Sequence, residues 1–118
     1  MNWLVVGSLC CAASVVAGAF GAHALAARLA AESLSLWETA ARYSMYGGLA
    51  LWAIGLAERV LQQSFAVSGW LLLLGTLVFS STVFALALGS PRWLGAVTPV
   101  GGVLMIAGLV SFAIAAWR

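Results

Sequence analysis

Eight charged residues divide this chain of 118 into long charge-free runs. They are Arg28, Arg42, Arg59, Arg92 and Arg118, with Glu32, Glu38 and Glu58. No charge falls in Asn2–Ala27, Tyr43–Ala57, Val60–Pro91 or Trp93–Trp117. A helix needs about 20 apolar residues to cross a bilayer core, and three of the four runs exceed that length. Composition agrees with a membrane solvent. Hydrophobic residues make up 64% and charged residues 7%, where a soluble domain carries about 25% charged residues. Eight charges cannot cover the surface of a soluble domain. A soluble globule, a disordered chain, a coiled coil and a secreted disulfide scaffold are thereby excluded. Barrel strands alternate in polarity over about 10 residues, and Val67–Leu88 does not alternate. The expected fold is an all-α membrane protein, a single domain over 1–118 built as a four-transmembrane-helix bundle.

The second run is the short one. Its 15 residues reach only about 22 Å as a helix. Ser35-Leu36-Trp37-Glu38 fits the S-x-x-E capping box, so a helix entering at Leu36 and running to Ala57 spans comfortably. Glu38 then lies in the first turn, where a carboxylate suits the helix dipole. The expected spans are 3–22, 36–57, 67–89 and 94–117. Between the first two, Arg28, Glu32, Ser35, Thr39 and Arg42 recur at helical spacing as one polar stripe. That pattern predicts a short interfacial amphipathic helix leading into span two; a break at Ser33–Ser35 and a continuous run are both open, and the capping box favours the break. The first run lacks a basic n-region and is longer than a signal-peptide core, so span one is expected to be retained.

Chemistry-bearing motifs are sparse. Five separated arginines give no basic patch, so nucleic-acid binding is not expected. One histidine excludes a two-histidine metal site, and the three glutamates sit on separate segments. The P-loop, G-x-S-x-G and G-x-G-x-x-G patterns are missing. No catalytic residue, metal or cofactor is expected, and the chain reads as a non-enzyme. Cys10 and Cys11 are adjacent on one helix and point about 100° apart, which suits small apolar packing residues.

Alternation of the spans places the first and third loops on one membrane face. His23, Glu38, Arg42, Tyr43, Tyr46 and Thr98 gather there and form the candidate polar-face site. Glu38 and Arg42 stand at i, i+4 in the favourable order for an ion pair. At membrane depth that pair would be nearly compulsory, because isolated charge there is expensive. A structural anchor and a headgroup- or substrate-binding pair are the two readings of it. Ser80, Ser81 and Thr82 sit mid-span, where hydroxyls bond back along the helix or across to a neighbour. Small residues form stripes that let helix backbones approach. Ser14 and Gly18 on span one and Gly101 and Gly108 on span four are the expected helix-packing positions.

Gly18-Ala19-Phe20-Gly21-Ala22-His23 resembles the G-A-x-G-A-H motif of a small four-span family, domain of unknown function 423 (bacterial YgdD/YwdK-type proteins and the eukaryotic transmembrane protein 256 type). Thr39 to Leu51 is similar to its T-x-x-R-Y-x-M-Y-H-x-L-A-L stretch. Leu94 to Gly102 resembles its L-G-x-x-T-P-x-G-G stretch, and Phe79-Ser80-Ser81 its F-S-G stretch. One place departs: Gly47 stands where the pattern has histidine. The resemblance implies four helices in a bacterial inner or organellar membrane and implies no established activity.

Together these features predict a multi-pass protein of the bacterial inner membrane. The leading functional expectation is an accessory or scaffold subunit, surrounded by membrane lipids and associating with itself or with a larger membrane complex. The alternative is a lipid- or small-molecule-binding protein or transporter using the polar face. Three arginines on the loop side against two on the terminal side are a marginal vote for termini outside.

Overall fold

A computed structural model describes residues 1–118, and every regular element in it is helical. Helix α1 spans Trp3–Phe20, opened by Asn2, whose side chain accepts from the Val5 N–H. It runs on into a π-helical turn, Gly21–Leu25. Helix α2 spans Ala31–Leu61, α3 Ala66–Ala87 and α4 Leu94–Trp117. Three stretches are long and apolar enough to cross a membrane: Trp3–Leu25, Ala66–Ala87 and Leu94–Trp117.

Helix α2 corrects the expected boundary. It is one unbroken element of 31 residues, and no separate amphipathic helix precedes it. The capping box does not cap: Ser35 lies inside the helix, and its carbonyl accepts from Thr39 Oγ1 at 3.0 Å. Ala30, in extended conformation, is the N-cap instead. The reason is propagation. No Gly or Pro interrupts 31–36, so extending an existing helix costs little per residue. Leu34 and Leu36 are half-buried along the way, and Glu32 occupies the favourable first turn.

The helices pack in chain order, α1 on α2, α2 on α3 and α3 on α4. Each neighbour runs antiparallel: Ser14 Oγ of α1 donates to the Ala41 carbonyl of α2, while Gly7 lies against Gly48 and Trp52. The molecule measures 48 × 27 × 19 Å, its long axis matching the roughly 46 Å that 31 helical residues reach. Helices α2 and α3 are thus internal, while α1 and α4 each pack mainly against one neighbour.

Close approach is bought with glycine. Gly7, Gly48 and Gly55 bring α1 and α2 together, and a Cβ at any of them would strike backbone of the partner helix. Gly75, Gly101 and Gly108 do the same between α3 and α4. Gly18 is different: nothing lies within 4 Å of where its Cβ would stand. It faces away from α2, so it packs no helix within this chain. Cys10 and Cys11 press on Gly48 as free thiols. The apolar core, Trp3, Leu51, Ile54, Phe65, Leu72 and Met105, gathers towards the end that holds the α2–α3 turn. There Glu58 on α2 accepts the Phe65 N–H at 2.7 Å, fixing the turn into α3.

Candidate functional site

The antiparallel order brings four segments to the opposite end: the π-turn, the first turns of α2, the last turns of α3 and the start of α4. Trp37 is the joint there. Gly21 has no Cβ, and one would sit 2.5 Å from the Trp37 ring. The indole therefore brings its Cδ1–Nε1 edge against the turn and donates from Nε1 to the Ala17 carbonyl at 2.8 Å. Its ring also meets Phe84 of α3 edge-on, with centroids 4.5 Å apart. One side chain of α2 thereby ties α1 to α3 just where the helix widens. Such π-turns interrupt the regular hydrogen-bond ladder and are common at functional sites. Trp37→Phe should lower stability by about 1 kcal/mol, the net worth of a typical hydrogen bond, since the phenyl ring still packs on Phe84. Thermal melting in detergent measures this, and an unchanged midpoint would show that the indole bond contributes nothing.

The six polar-face residues are dispersed over this end. His23 is exposed on the π-turn. Glu38 and Arg42 are exposed, one turn apart on α2. Tyr43 is half-buried and tilted against Phe79 at 4.6 Å, with Tyr46 edge-on to it at 5.2 Å. Thr98 turns to α3, sharing a hydrogen bond of 2.7 Å with Thr82. Tyr43 and Tyr46 are thus in contact, while Thr98 serves the α3–α4 joint. The cost of breaking a buried ion pair, about 3–5 kcal/mol, does not apply to Glu38 and Arg42, which solvent or headgroups can reach. Exposed pairs contribute about 0–1 kcal/mol. No group of three His, Cys, Asp or Glu side chains gathers where it could hold a metal ion.

The hydroxyls of α3 divide into two sets. Thr82 and Ser81 bond back to the Val78 carbonyl, and Ser68 bonds across to Ser111 of α4 at 3.0 Å. Thr76 Oγ1 and Ser80 Oγ are buried and have no partner. Sequence reasoning reached Ser80 and passed over Thr76. Their i, i+4 spacing was the available signal.

Residues 17–102, most of the chain, match the family described as Protein of unknown function (DUF423). The chain belongs to this family. Its curated relatives include a UPF0382 membrane protein of Staphylococcus haemolyticus, 42% identical over 98% of this chain and 95% of that protein. Another, from Staphylococcus saprophyticus, is 41% identical over 98% of this chain and 97% of its own length. A third, from Staphylococcus epidermidis, is 42% identical over 96% and 93%. No solved structure matches the chain. The protein is therefore a small membrane protein of an uncharacterised DUF423 family, and the resemblance read from its motifs holds. The departure at Gly47 has a physical counterpart. Gly47 is buried, and a Cβ there would run into the Thr76 side chain. In this DUF423 protein, α3 fills the space that a larger residue on α2 would need.

Proposed function

We propose that this protein is a four-span accessory subunit of a bacterial inner membrane, with no catalytic chemistry of its own, that associates through the outer face of α1. Support for the fourth span comes from the position of α2. It lies antiparallel between α1 and α3, so it crosses wherever they cross. At about 46 Å it exceeds the ~30 Å hydrocarbon core. A ~30 Å core takes about 20 residues of α2, near Glu38 to Ala57, so Glu58 and Arg59 reach one interface and Glu32 the other, while the long Arg42 side chain extends towards the Glu32 end. The end bearing Arg28, Arg42 and Arg92 faces the cytoplasm under the positive-inside rule.

The observation that carries the accessory reading is a stripe on α1. Ser8, Ala12 and Ala19 recur at i, i+4 and i+11 and are all exposed, and Gly18 beside them has open space over its Cα. Small residues facing outward admit a second helix backbone, which gains van der Waals contact that lipid does not supply. Single cysteines in a background lacking Cys10 and Cys11 test both parts. Ala19→Cys is expected to cross-link in native membranes, to a second copy or to another membrane protein, while Val103→Cys on α4 is not. His23→Cys and Gln63→Cys are expected to label from opposite sides. Ala19→Cys remaining monomeric would remove the accessory reading, and same-side labelling would remove the fourth span.

A further inference from the structure

Gly108 brings α4 onto α3, where a Cβ would meet Leu72 and the Ser68 carbonyl. From there to the end of α4 the residues turned to α3 are small, Ser111 and Ala115, and the two helices leave a cavity of about 490 Å³ between them. It lies at the end of the molecule that holds the α2–α3 turn. The hydrogen bond of 3.0 Å between Ser68 and Ser111 forms its innermost part. Phe65, edge-on to Phe112 at 5.0 Å, backs it on the core side. Gln63 of the turn donates to the Ala115 carbonyl at 3.4 Å and ties the turn to the end of α4.

The two ends of this cavity differ in chemistry. At the rim stand Ser64 and Arg118, both exposed. Ser111 lies two turns of α4 further in, about 10 Å along the axis. Between them the walls are apolar, and Val67 and Ile114, 69% and 58% exposed, open towards the bilayer. No acidic residue lines the cavity. Glu58, the one acidic side chain at this end, is engaged by the Phe65 N–H.

We propose that this cavity seats an anionic phospholipid, with its phosphodiester at Arg118 and Ser64 and the start of an acyl chain along Val67 and Ile114. Charge complementarity carries the assignment. A guanidinium with no acidic side chain beside it in the cavity attracts phosphate and can hold two of its oxygens at once, and Ser64 adds an O–H donor. The same lack of carboxylates gives the ammonium of a zwitterionic headgroup nothing to meet, so a headgroup of net negative charge is favoured. Shape favours an amphiphile over a free anion, because a small phosphate at the rim leaves the apolar walls unfilled. The site lies at the opposite end from His23, Glu38 and Arg42 and belongs to α3 and α4, so it does not rest on the α1 stripe.

The test is a titration of the full chain in detergent micelles with dioleoylphosphatidylglycerol or dioleoylphosphatidylcholine, bound lipid being counted by native mass spectrometry. One phosphatidylglycerol per chain is expected at about ten-fold lower concentration than phosphatidylcholine, the worth of one hydrogen bond to a charged group. Arg118→Gln should erase that preference. Arg59→Gln removes the same charge at the same end without touching the cavity and should leave the preference intact. Val67→Glu places a carboxylate on the exposed wall, in the first turn of α3 where it suits the helix dipole. It should weaken phosphatidylglycerol binding about ten-fold or more while melting no lower than the parent. Glycerol phosphate, the headgroup without chains, should not displace the lipid at equal concentration. Four results would each overturn the proposal: equal retention of the two lipids, equal effects of Arg118→Gln and Arg59→Gln, unchanged binding in Val67→Glu, or displacement by glycerol phosphate. The second would show surface charge alone, and the last a site for a free anion.

Discussion

Gly101→Leu is expected to lower stability by about 3 kcal/mol or more, while Gly18→Leu leaves it unchanged or slightly raised. Both glycines lie in small-residue stripes of apolar helices, and both would pass as packing positions by spacing alone. Their surroundings differ. A Cβ on Gly101 meets the backbone nitrogen and Cα of Phe79 and the Gly75 carbonyl oxygen. All three atoms are main chain, so no side-chain rotamer change can make room, and α3 must move off α4. Overpacking typically costs about 1–3 kcal/mol and occasionally more, and backbone-on-backbone contact belongs at the upper end. At Gly18 a side chain enters open space, and replacing glycine inside a helix recovers up to about 1 kcal/mol of backbone entropy. Thermal unfolding of both variants in the same detergent measures the difference. Equal midpoints would mean that the α3–α4 contact is not tight.

That contrast shows where the sequence stops being legible. Helix existence follows from charge-free runs, because length and apolarity are one-dimensional properties. Spans one, three and four accordingly begin and end within a few residues of α1 with its π-turn, α3 and α4. The start of α2 did not follow. A capping box is a local signal, and it competes with uninterrupted helix formers upstream and with Trp37, whose anchorage on the Ala17 carbonyl involves residues 20 positions away. No local pattern encodes that contact. The stripes reveal which helices can approach closely, yet not which stripe meets a partner inside the chain. Gly101 finds Gly75 and Phe79, whereas Gly18 and its neighbours are left outward.

The polar residues show the same limit. His23, Glu38, Arg42 and Thr98 lie towards one end of the molecule because neighbouring helices run antiparallel. Contact is another matter. Thr98 pairs with Thr82 through a register between α3 and α4 that glycine placement sets. Thr76 looks like an ordinary helix hydroxyl until Gly47 is seen to leave room for its side chain. The burial of the Thr76 and Ser80 hydroxyls therefore arises from the packing of neighbouring helices, a property that appears only after assembly.

Trp3→Ala is the second large loss, expected at about 3 kcal/mol, with Trp117→Ala near zero. The two tryptophans sit at opposite ends of the chain and both suit an interfacial aromatic anchor by sequence. Trp3 is 2% exposed and Trp117 91%. The Trp3 indole fills the space over Gly69, stands edge-on to Trp70 at 5.5 Å, and the backbone beside it packs on Gly55. It therefore joins the start of α1 to both α2 and α3. In water, truncating a buried Trp costs about 3–5 kcal/mol, part from transfer and part from the cavity left behind. Between membrane helices the transfer part shrinks, because lipid is as apolar as the core. What remains is lost dispersion contact across the cavity, which places the effect at the low end of that range. Unfolding of both variants by a graded denaturing detergent reads it directly. A Trp3→Ala midpoint matching that of Trp117→Ala would show that α1 is held by its glycine contacts with α2 alone.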